Sequence, residues 1–148
     1  MKQILSNDII NQYMPTLVKC PLFNTLGEPE LRGYLNNAKV IIHSYKKNDF
    51  IALAGDPMEG IGVILEGSAL LTRENVMGQR VIMANLEQSD IFGEALLFSK
   101  QPLWPATIKA TKATKIMFIP LETFIKTLPD CHQCQTKILS NLLEDLSE

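Results

Sequence analysis

The sequence predicts a mainly β fold, in which helices precede an antiparallel β roll or barrel and one further helix follows it. Two observations support this fold class. Between residues 38 and 119 the chain consists of short apolar runs separated by turn-forming residues such as Gly55, Gly67 and Gly78. Such spacing favours an antiparallel roll over βαβ units. On both sides of this region, apolar residues recur at helical spacing instead.

The bulk composition is that of an ordinary globular domain. The 148 residues suit a single domain, with 46% hydrophobic and 20% charged residues. The formal net charge of −2 gives no sign of a nucleic-acid-binding face, which normally shows clustered Lys and Arg. We interpret the longest basic cluster, Lys109, Lys112 and Lys115, as a solvated edge.

Neither a membrane segment nor a signal peptide is evident. No stretch approaches the roughly 20 apolar residues of a membrane span, and the first ten residues lack an apolar core. Three cysteines form no disulfide scaffold pattern, which favours a reducing compartment. We expect a cytoplasmic protein without a membrane partner.

Two helices are predicted before the roll. The first covers residues 7–19, with Asn7 or Asp8 as its cap and Pro15 as a possible kink. The second covers residues 29–36, because Pro29 suits the first turn and the apolar residues that follow lie on one side.

The roll is predicted to contain eight strands, each a short apolar run bounded by turn residues. They cover residues 40–45, 50–53, 62–65, 68–72, 80–83, 91–92, 107–110 and 115–119.

The last third of the chain is predicted to be helical. A helix over residues 121–128 ends at Pro129, and Asp130 caps the next one. Residues 131–146 contain neither Gly nor Pro and carry an apolar stripe. We expect this stripe to form a homodimer interface. Its residues are Ile138, Leu139, Leu142, Leu143 and Leu146.

The most informative motif is the run from Asp90 to Phe98 together with residues 104–107. It predicts a strand, a turn at Gly93-Glu94, a short apolar helix, a loop and a second strand opening with Ala106. A turn followed by a helix start leaves backbone N–H groups unpaired, which makes a small anion pocket.

This run resembles the phosphate-binding cassette of the cyclic-nucleotide-binding domain in the bacterial Crp/Fnr family of transcription regulators. The resemblance covers nearly the whole chain, because further family positions occur in order: Phe23 with Leu26 and Leu31, Gly55-Asp56, residues 64–67, and Gly78. It implies an antiparallel β-roll, of the double-stranded β-helix or jelly-roll type, flanked by N-terminal helices and followed by a dimerisation helix.

The resemblance also implies a domain division. Residues 1–130 would form the sensor domain with its flanking helices, and residues 131–148 would begin the dimerisation helix. In the family a helix-turn-helix domain that binds DNA follows, and this chain ends before one. We interpret the chain as a truncated regulator, with a stand-alone domain as the alternative, so that DNA would be a partner only through a domain absent here.

Two positions depart from the family pattern. Ser89 stands where the family usually has a glycine, and Trp104-Pro105 replaces an arginine and its small polar neighbour. A guanidinium pairs with phosphate through two charge-assisted hydrogen bonds. Its loss from a semi-buried pocket costs about 3–5 kcal/mol. We therefore expect neither cyclic AMP nor cyclic GMP to bind well.

The expected ligand pocket combines cassette residues with one residue from a neighbouring strand. By resemblance Glu94 accepts from a ribose hydroxyl, and the alternative is a structural turn carboxylate. Trp104 either closes the pocket or stacks on a flat or apolar ligand. Arg80, like Lys109, is either solvated or able to reach an acidic ligand. The pocket residues are Gly93, Glu94, Ala95, Leu96, Trp104, Ala106, Thr107 and Arg80.

Cys131 and Cys134 are the redox candidates, because residues three apart share one helix face. They form either an intermolecular redox switch, a metal site at the dimer interface, or simply buried thiols. Cys20 stands alone, so we expect no iron–sulfur cluster, and we interpret His43 as a satisfied strand residue. We expect no resident metal and no cofactor. No catalytic arrangement is seen, so we expect no enzyme.

Three functional hypotheses remain. The leading one is an effector-sensing, dimerising domain that binds an unknown small molecule other than a cyclic nucleotide. The alternatives are a ligand-free protein-interaction module and a thiol redox sensor. An open pocket lined by Trp104, Glu94, Leu96 and Thr107 would favour the sensor, and a buried Trp104 without a cavity beside Glu94 would favour the interaction module.

Overall fold

Two antiparallel sheets face each other, and three helices pack on the outer face of one of them. The computed structural model describes residues 2–96, 99–124 and 132–146. The helices are α1 (Asn7–Leu17), α2 (Glu28–Asn37) and α3 (His132–Leu146), with short 3₁₀ helices at Glu94–Leu96 and Leu121–Phe124. The strands are β1 (Lys2–Ile4), β2 (Ile41–Tyr45), β3 (Phe50–Ala52), β4 (Gly60–Glu66), β5 (Ala69–Glu74), β6 (Arg80–Leu86), β7 (Ile91–Phe92), β8 (Thr107–Ala110) and β9 (Thr114–Pro120).

The strand order is that of a roll. One sheet has the order β1-β2-β9-β4-β7 and the other has the order β3-β8-β5-β6, with every pairing antiparallel within the described residues. All eight predicted strands are present. The prediction missed β1, which pairs with β2 through Gln3 and Ile42. Three residues are too few to show a periodic pattern in the sequence.

Strand β4 separates two apolar cores. Ile61, Val63 and Leu65 lie in the core between this sheet and the helices. Ile64 faces the other way, into the core between the two sheets, where it joins Ile116 on β9. Because successive side chains point to opposite faces, a strand buried on both faces is a continuous apolar run. The run from Ile61 to Leu65 is explained in this way.

Helix α1 begins at Asn7 as predicted, whereas α2 begins one residue earlier than predicted, at Glu28. Ser6, not Asn7 or Asp8, caps α1, since its Oγ accepts a hydrogen bond from the Ile9 N–H at 3.4 Å. Helix α1 continues past Pro15 to Leu17. At the start of α2, the Gly27 N–H donates to the Glu30 carboxylate at 3.4 Å.

Helix α3 packs on its own chain, which corrects part of the predicted dimer interface. Ile138 is 1% exposed and Leu142 is 0% exposed, and both lie in the helix-side core. Partly buried Leu139 packs against the same core. The apolar stripe of α3 therefore serves intrachain packing first. Leu143, at 61% exposure, and Leu146, at 41%, remain open to solvent, so an interface through these two stays a prediction.

Two polar contacts fix α3 against the preceding helices. The buried Asn141 side-chain amide donates to the Leu22 carbonyl at 2.9 Å and to Thr25 Oγ1 at 2.8 Å. On the surface, Lys137 Nζ lies 2.8 Å from a Glu30 carboxylate oxygen. The 3₁₀ helix Leu121–Phe124 begins where a helix over 121–128 was predicted, and residues 125–130 lie outside the described residues.

Candidate functional site

The cassette has the predicted order of elements. Strand β7 ends at Phe92, Gly93 turns the chain with φ +90°, and the 3₁₀ helix Glu94–Leu96 follows. After the connecting loop, Ala106 is buried and β8 begins at Thr107. The positive φ at Gly93 is a conformation that glycine adopts readily and other residues avoid.

Ser89 keeps the turn before the cassette strand in a glycine-like conformation. Its φ is +74°, in the left-handed region that residues with a side chain rarely adopt. The Ser89 Oγ donates a 2.9 Å hydrogen bond to the Thr16 carbonyl of α1. Its backbone N–H donates to the Ile64 carbonyl at 2.9 Å. The substitution of serine for glycine thus leaves the turn geometry intact.

Trp104 fills the space beside the cassette glycine. Its side chain is 6% exposed and belongs to the core between the sheets. The indole and the Phe92 ring have centroids 5.7 Å apart. A Cβ placed on Gly93 would lie only 3.2 Å from Trp104 Cζ3. The ring therefore lies over the turn at Gly93.

The backbone of Trp104 is held by the loop between β3 and β4. The Trp104 N–H donates to the Asp56 carbonyl at 2.8 Å, and the Trp104 carbonyl accepts from the Gly55 N–H at 2.8 Å. These two bonds fix the backbone from which the indole extends onto Gly93.

Glu94 contacts helix α3. Its carboxyl group is partly buried, and this burial raises its pKa above the ordinary value. The nearby Asp145 carboxylate raises the pKa further, while a hydrogen bond from the Glu94 backbone N–H lowers it. Burial and a neighbouring negative charge both favour the protonated form of Glu94. Glu94 thereby connects the cassette to the last helix.

The remaining predicted pocket residues are not all brought together. Ala95 is exposed, and the side chain of Leu96 lies outside the described residues. Thr107 and Arg80 line a separate cavity of about 430 Å³ with Thr72. Thr107 Oγ1 there accepts from the Ala54 N–H at 3.2 Å. The prediction of a single pocket containing Arg80, Thr107 and Glu94 does not match this placement.

Another cavity, of about 310 Å³, opens on the far side of Trp104. Among its lining residues are His43 and Tyr45 of β2, Phe118 of β9, and the carboxylates Asp56 and Glu59 of the loop between β3 and β4. The sequence reasoning missed this cavity, because none of these residues belongs to the cassette motif. The sequence feature that could have indicated the cavity is the spacing of His43 and Tyr45, which are two residues apart and therefore share one face of the strand.

The cysteines give no described redox site. Cys20 is fully buried, and burial raises its pKa to about 12, which keeps the thiol protonated and inert. Cys131 lies outside the described residues, and so does the side chain of Cys134 on α3. Within the described part of the chain, no group of three His, Cys, Asp or Glu residues is arranged to hold a metal ion.

A comparison with known protein families agrees with the roll and cassette described above. The family described as the cyclic nucleotide-binding domain matches residues 42–130, which is more than half of the chain. The chain belongs to the cyclic nucleotide-binding domain family. The matched region of this family member runs from β2 through the cassette and β9.

Of the helices that the structure describes, none is long and apolar enough to cross a membrane.

Similar proteins confirm the predicted resemblance to Crp/Fnr effector domains. The cAMP-activated global transcriptional regulator CRP of Pasteurella multocida is 29% identical over 123 residues, which is 81% of this chain and 58% of that protein. The chain thus spans little more than half of this relative, whose name describes a transcription regulator and not an enzyme.

Two solved structures show the same fold. The sensor domain of the transcriptional regulator DNR from Pseudomonas aeruginosa superposes with a TM-score of 0.75 at 20% identity, covering 95% of this chain and 89% of that one. The regulatory subunit of a cAMP-independent protein kinase A from Trypanosoma brucei, in a substituted variant bound to cAMP, gives 0.73 at 17% identity, covering 93% and 47%. The predicted β-roll is therefore confirmed.

Proposed function

We propose that this chain is the effector-sensing domain of a Crp/Fnr-type transcription regulator whose cassette does not accept a cyclic nucleotide. Membership in the cyclic nucleotide-binding domain family and likeness to named transcription regulators support the regulatory role. The proposal that the cassette does not accept a cyclic nucleotide rests on the position of Trp104. The indole is buried against Gly93, where the family pattern has a phosphate-pairing arginine.

The chemistry of this position opposes a cyclic phosphate. An arginine presents two parallel N–H donors and a positive charge, whereas an indole has one N–H donor and no charge. The loss of a buried charge pair, about 3–5 kcal/mol, corresponds to roughly two to four powers of ten in affinity. Glu94 and Asp145 add negative charge at the cassette, which repels a phosphate further.

Isothermal titration with cyclic AMP tests the proposal. We expect no heat of binding from the native protein at micromolar to millimolar nucleotide. A double variant, Trp104→Arg with Pro105→Ser, returns the guanidinium and the small polar neighbour, and we expect it to bind. The control is Trp104→Phe, which keeps an apolar ring and gains no charge, and we expect it not to bind.

The Trypanosoma brucei structure supports this design, because one of the three substitutions in its cAMP-bound variant introduces an arginine. Micromolar binding of cyclic AMP by the native protein would contradict the proposal, since another cation would then have to replace the missing arginine.

A ligand-free interaction module is the second candidate function. It is favoured by the burial of Trp104 and by the fact that Glu94 lines neither of the two cavities described above. The two functions differ in one measurable respect: a sensor binds a small molecule at some site on the roll, and an interaction module does not.

Homodimerisation is also part of the proposal, through the exposed Leu143 and Leu146. Light scattering after gel filtration gives the mass directly. We expect a dimer for the native chain and a folded monomer for Leu143→Glu. A native monomer at all concentrations would remove the interface from the proposal.

The thiol redox sensor stays a prediction as well. Oxidation of a Cys134→Ser variant tests it, because Cys131 is then the remaining candidate besides the buried Cys20. A disulfide-linked dimer on a non-reducing gel would support the redox role, and its absence would remove Cys131 from it.

A further inference from the structure

The cavity on the far side of Trp104 has an aromatic interior. Its inner surface includes the buried rings of Phe118 and Trp104, and its side includes the half-buried rings of His43 and Tyr45. His43 lies edge-on to Phe118 with centroids 5.6 Å apart, and it stacks with Tyr45 at 6.1 Å. The volume of about 310 Å³ lies at the lower end of the range for small-molecule sites.

The charged side chains that line this cavity are carboxylates, and Lys109 Nζ lies 5.6 Å from the ring centroid of Phe50, another lining residue. Two exposed carboxylates, Asp56 and Glu59, line the cavity, and neither a lysine nor an arginine is among its described lining residues. The field of Glu59 reaches the aromatic wall: burial raises the pKa of Tyr45 to about 12, and the Glu59 carboxylate raises it as well, as does Asp49 outside the cavity lining. An anion is therefore disfavoured here, and a cation is favoured.

We propose that this cavity binds a small organic cation of the ammonium type. Aromatic faces attract cations within about 6 Å of the ring centroid, and ammonium groups are recognised by such rings in other proteins. Asp56 and Glu59 would supply the opposite charge at the rim. The inference rests on the proposed function, because an effector is expected only if the domain is a sensor.

The position of Trp104 connects this cavity to the cassette. Trp104 lines the cavity, and its ring atoms Cζ3 and Cη2 lie against Gly93, one residue before Glu94. Glu94 contacts Asp145 on α3. A cation that binds better to one position of Trp104 than to another would therefore bias the contact between the cassette and α3. The cavity is thus connected to helix α3 through Trp104, Gly93 and Glu94.

Choline and its neutral carbon analogue 3,3-dimethylbutan-1-ol are suitable probes, since they share size and shape and differ in charge. Isothermal titration gives both affinities. We expect choline to bind with a dissociation constant of about 1 mM or tighter, and roughly tenfold more tightly than the neutral analogue. Trp104 is the single tryptophan of the chain, so its fluorescence reports binding at this cavity.

Variants locate the site. We expect Glu59→Gln and Asp56→Asn each to weaken choline binding roughly two- to fivefold, as for exposed ion pairs. Both residues are exposed, so folding should survive. The matched control is Glu28→Gln, which removes an exposed carboxylate of α2 away from the cavity, and we expect no change.

Three results would overturn the cation site: no choline binding at millimolar concentration, equal binding of the neutral analogue, or binding that leaves the Trp104 fluorescence unchanged. The titration with cyclic AMP is independent of all three. A protein that binds neither choline nor cyclic AMP loses this inference alone, whereas one that binds cyclic AMP loses the proposed closure of the cassette.

Discussion

The indole of Trp104 lies against Gly93, and the two residues together close the cassette. A Cβ on Gly93 would lie 3.2 Å from Trp104 Cζ3 and 3.4 Å from Cη2. It would also lie 2.9 Å from Met58 Cε. Glycine is thus required at position 93 for two reasons: its φ is +90°, and the Trp104 ring occupies the space that a side chain would need.

Gly93→Ala should destabilise the fold strongly. A positive φ costs a residue with a side chain about 1–2 kcal/mol, and the clash with Met58 and Trp104 adds about 1–3 kcal/mol of overpacking. Gly55→Ala is a matched control, because Gly55 has the same φ of +90° and no neighbour within 4 Å of an added Cβ. Urea denaturation measures both. Equal losses for the two variants would show that Trp104 does not press on Gly93.

Two substitutions at Ser89 should separate backbone strain from its hydrogen bond. Ser89→Ala loses the bond from Oγ to the Thr16 carbonyl and keeps the strain, so we expect a loss of about 0.5–1.5 kcal/mol. Ser89→Gly loses the same bond and relieves the positive φ, so we expect a change near zero. Thermal unfolding of both variants checks this. A Ser89→Gly variant less stable than Ser89→Ala would contradict the explanation.

The contact of Glu94 with Asp145 should make stability depend on pH. Burial, with the Asp145 carboxylate, raises the pKa of Glu94 above its ordinary 4.5, so the folded state holds the proton more tightly than the unfolded state. The stabilising contribution is therefore complete below pH 4.5 and is lost as the pH rises through the raised pKa of the folded state. Denaturation curves across this range measure the free energy of unfolding at each pH.

Glu94→Gln should remove this dependence. The amide carries no charge, so it avoids both the burial of a charge and the repulsion from Asp145, and we expect a gain of about 0.5–1 kcal/mol at neutral pH and a flatter profile above pH 4.5. If Glu94→Gln lowers stability at neutral pH, Glu94 has a different partner in solution.

Docking of α3 should depend on Asn141 far more than on Lys137. Asn141→Leu leaves the Leu22 carbonyl without its donor in a buried site, so we expect a loss of about 1–3 kcal/mol. Lys137→Ala removes an ion pair with Glu30 whose two side chains are both partly exposed, so we expect less than about 1 kcal/mol. Chemical denaturation compares them. A larger effect at Lys137 would mean that the surface pair, not the buried amide, holds α3.

Much of the fold was predictable because local patterns and tertiary structure agree. The glycine-bounded apolar runs gave all eight predicted strands, and the cassette follows directly from Phe92-Gly93-Glu94. Strand β1 was missed because its three residues carry no pattern of their own and form a strand only by pairing with β2. Pairing between distant segments is not encoded in the sequence of either one alone.

The candidate site was predictable only in part. Trp104 was identified as a departure from a family pattern, but the sequence left open whether it closes the cassette or stacks on a ligand. The sequence also left open what the apolar stripe of α3 packs against, because such a stripe suits the core of the same chain as well as a partner chain. Ile138 and Leu142 turned out to face the core of their own chain. The aromatic cavity arises from β2, β9 and a loop, which only the folded chain brings together.

The most direct measurement of the closed cassette is the nuclear Overhauser contact between the Trp104 indole and the Gly93 Hα protons, recorded without and with millimolar cyclic AMP. We expect strong contacts from the Hζ3 and Hη2 protons of the ring, and we expect them to persist unchanged when the nucleotide is added. Their absence from the free protein, or their disappearance on addition of cyclic AMP, would show that the ring leaves the phosphate position and would contradict this account.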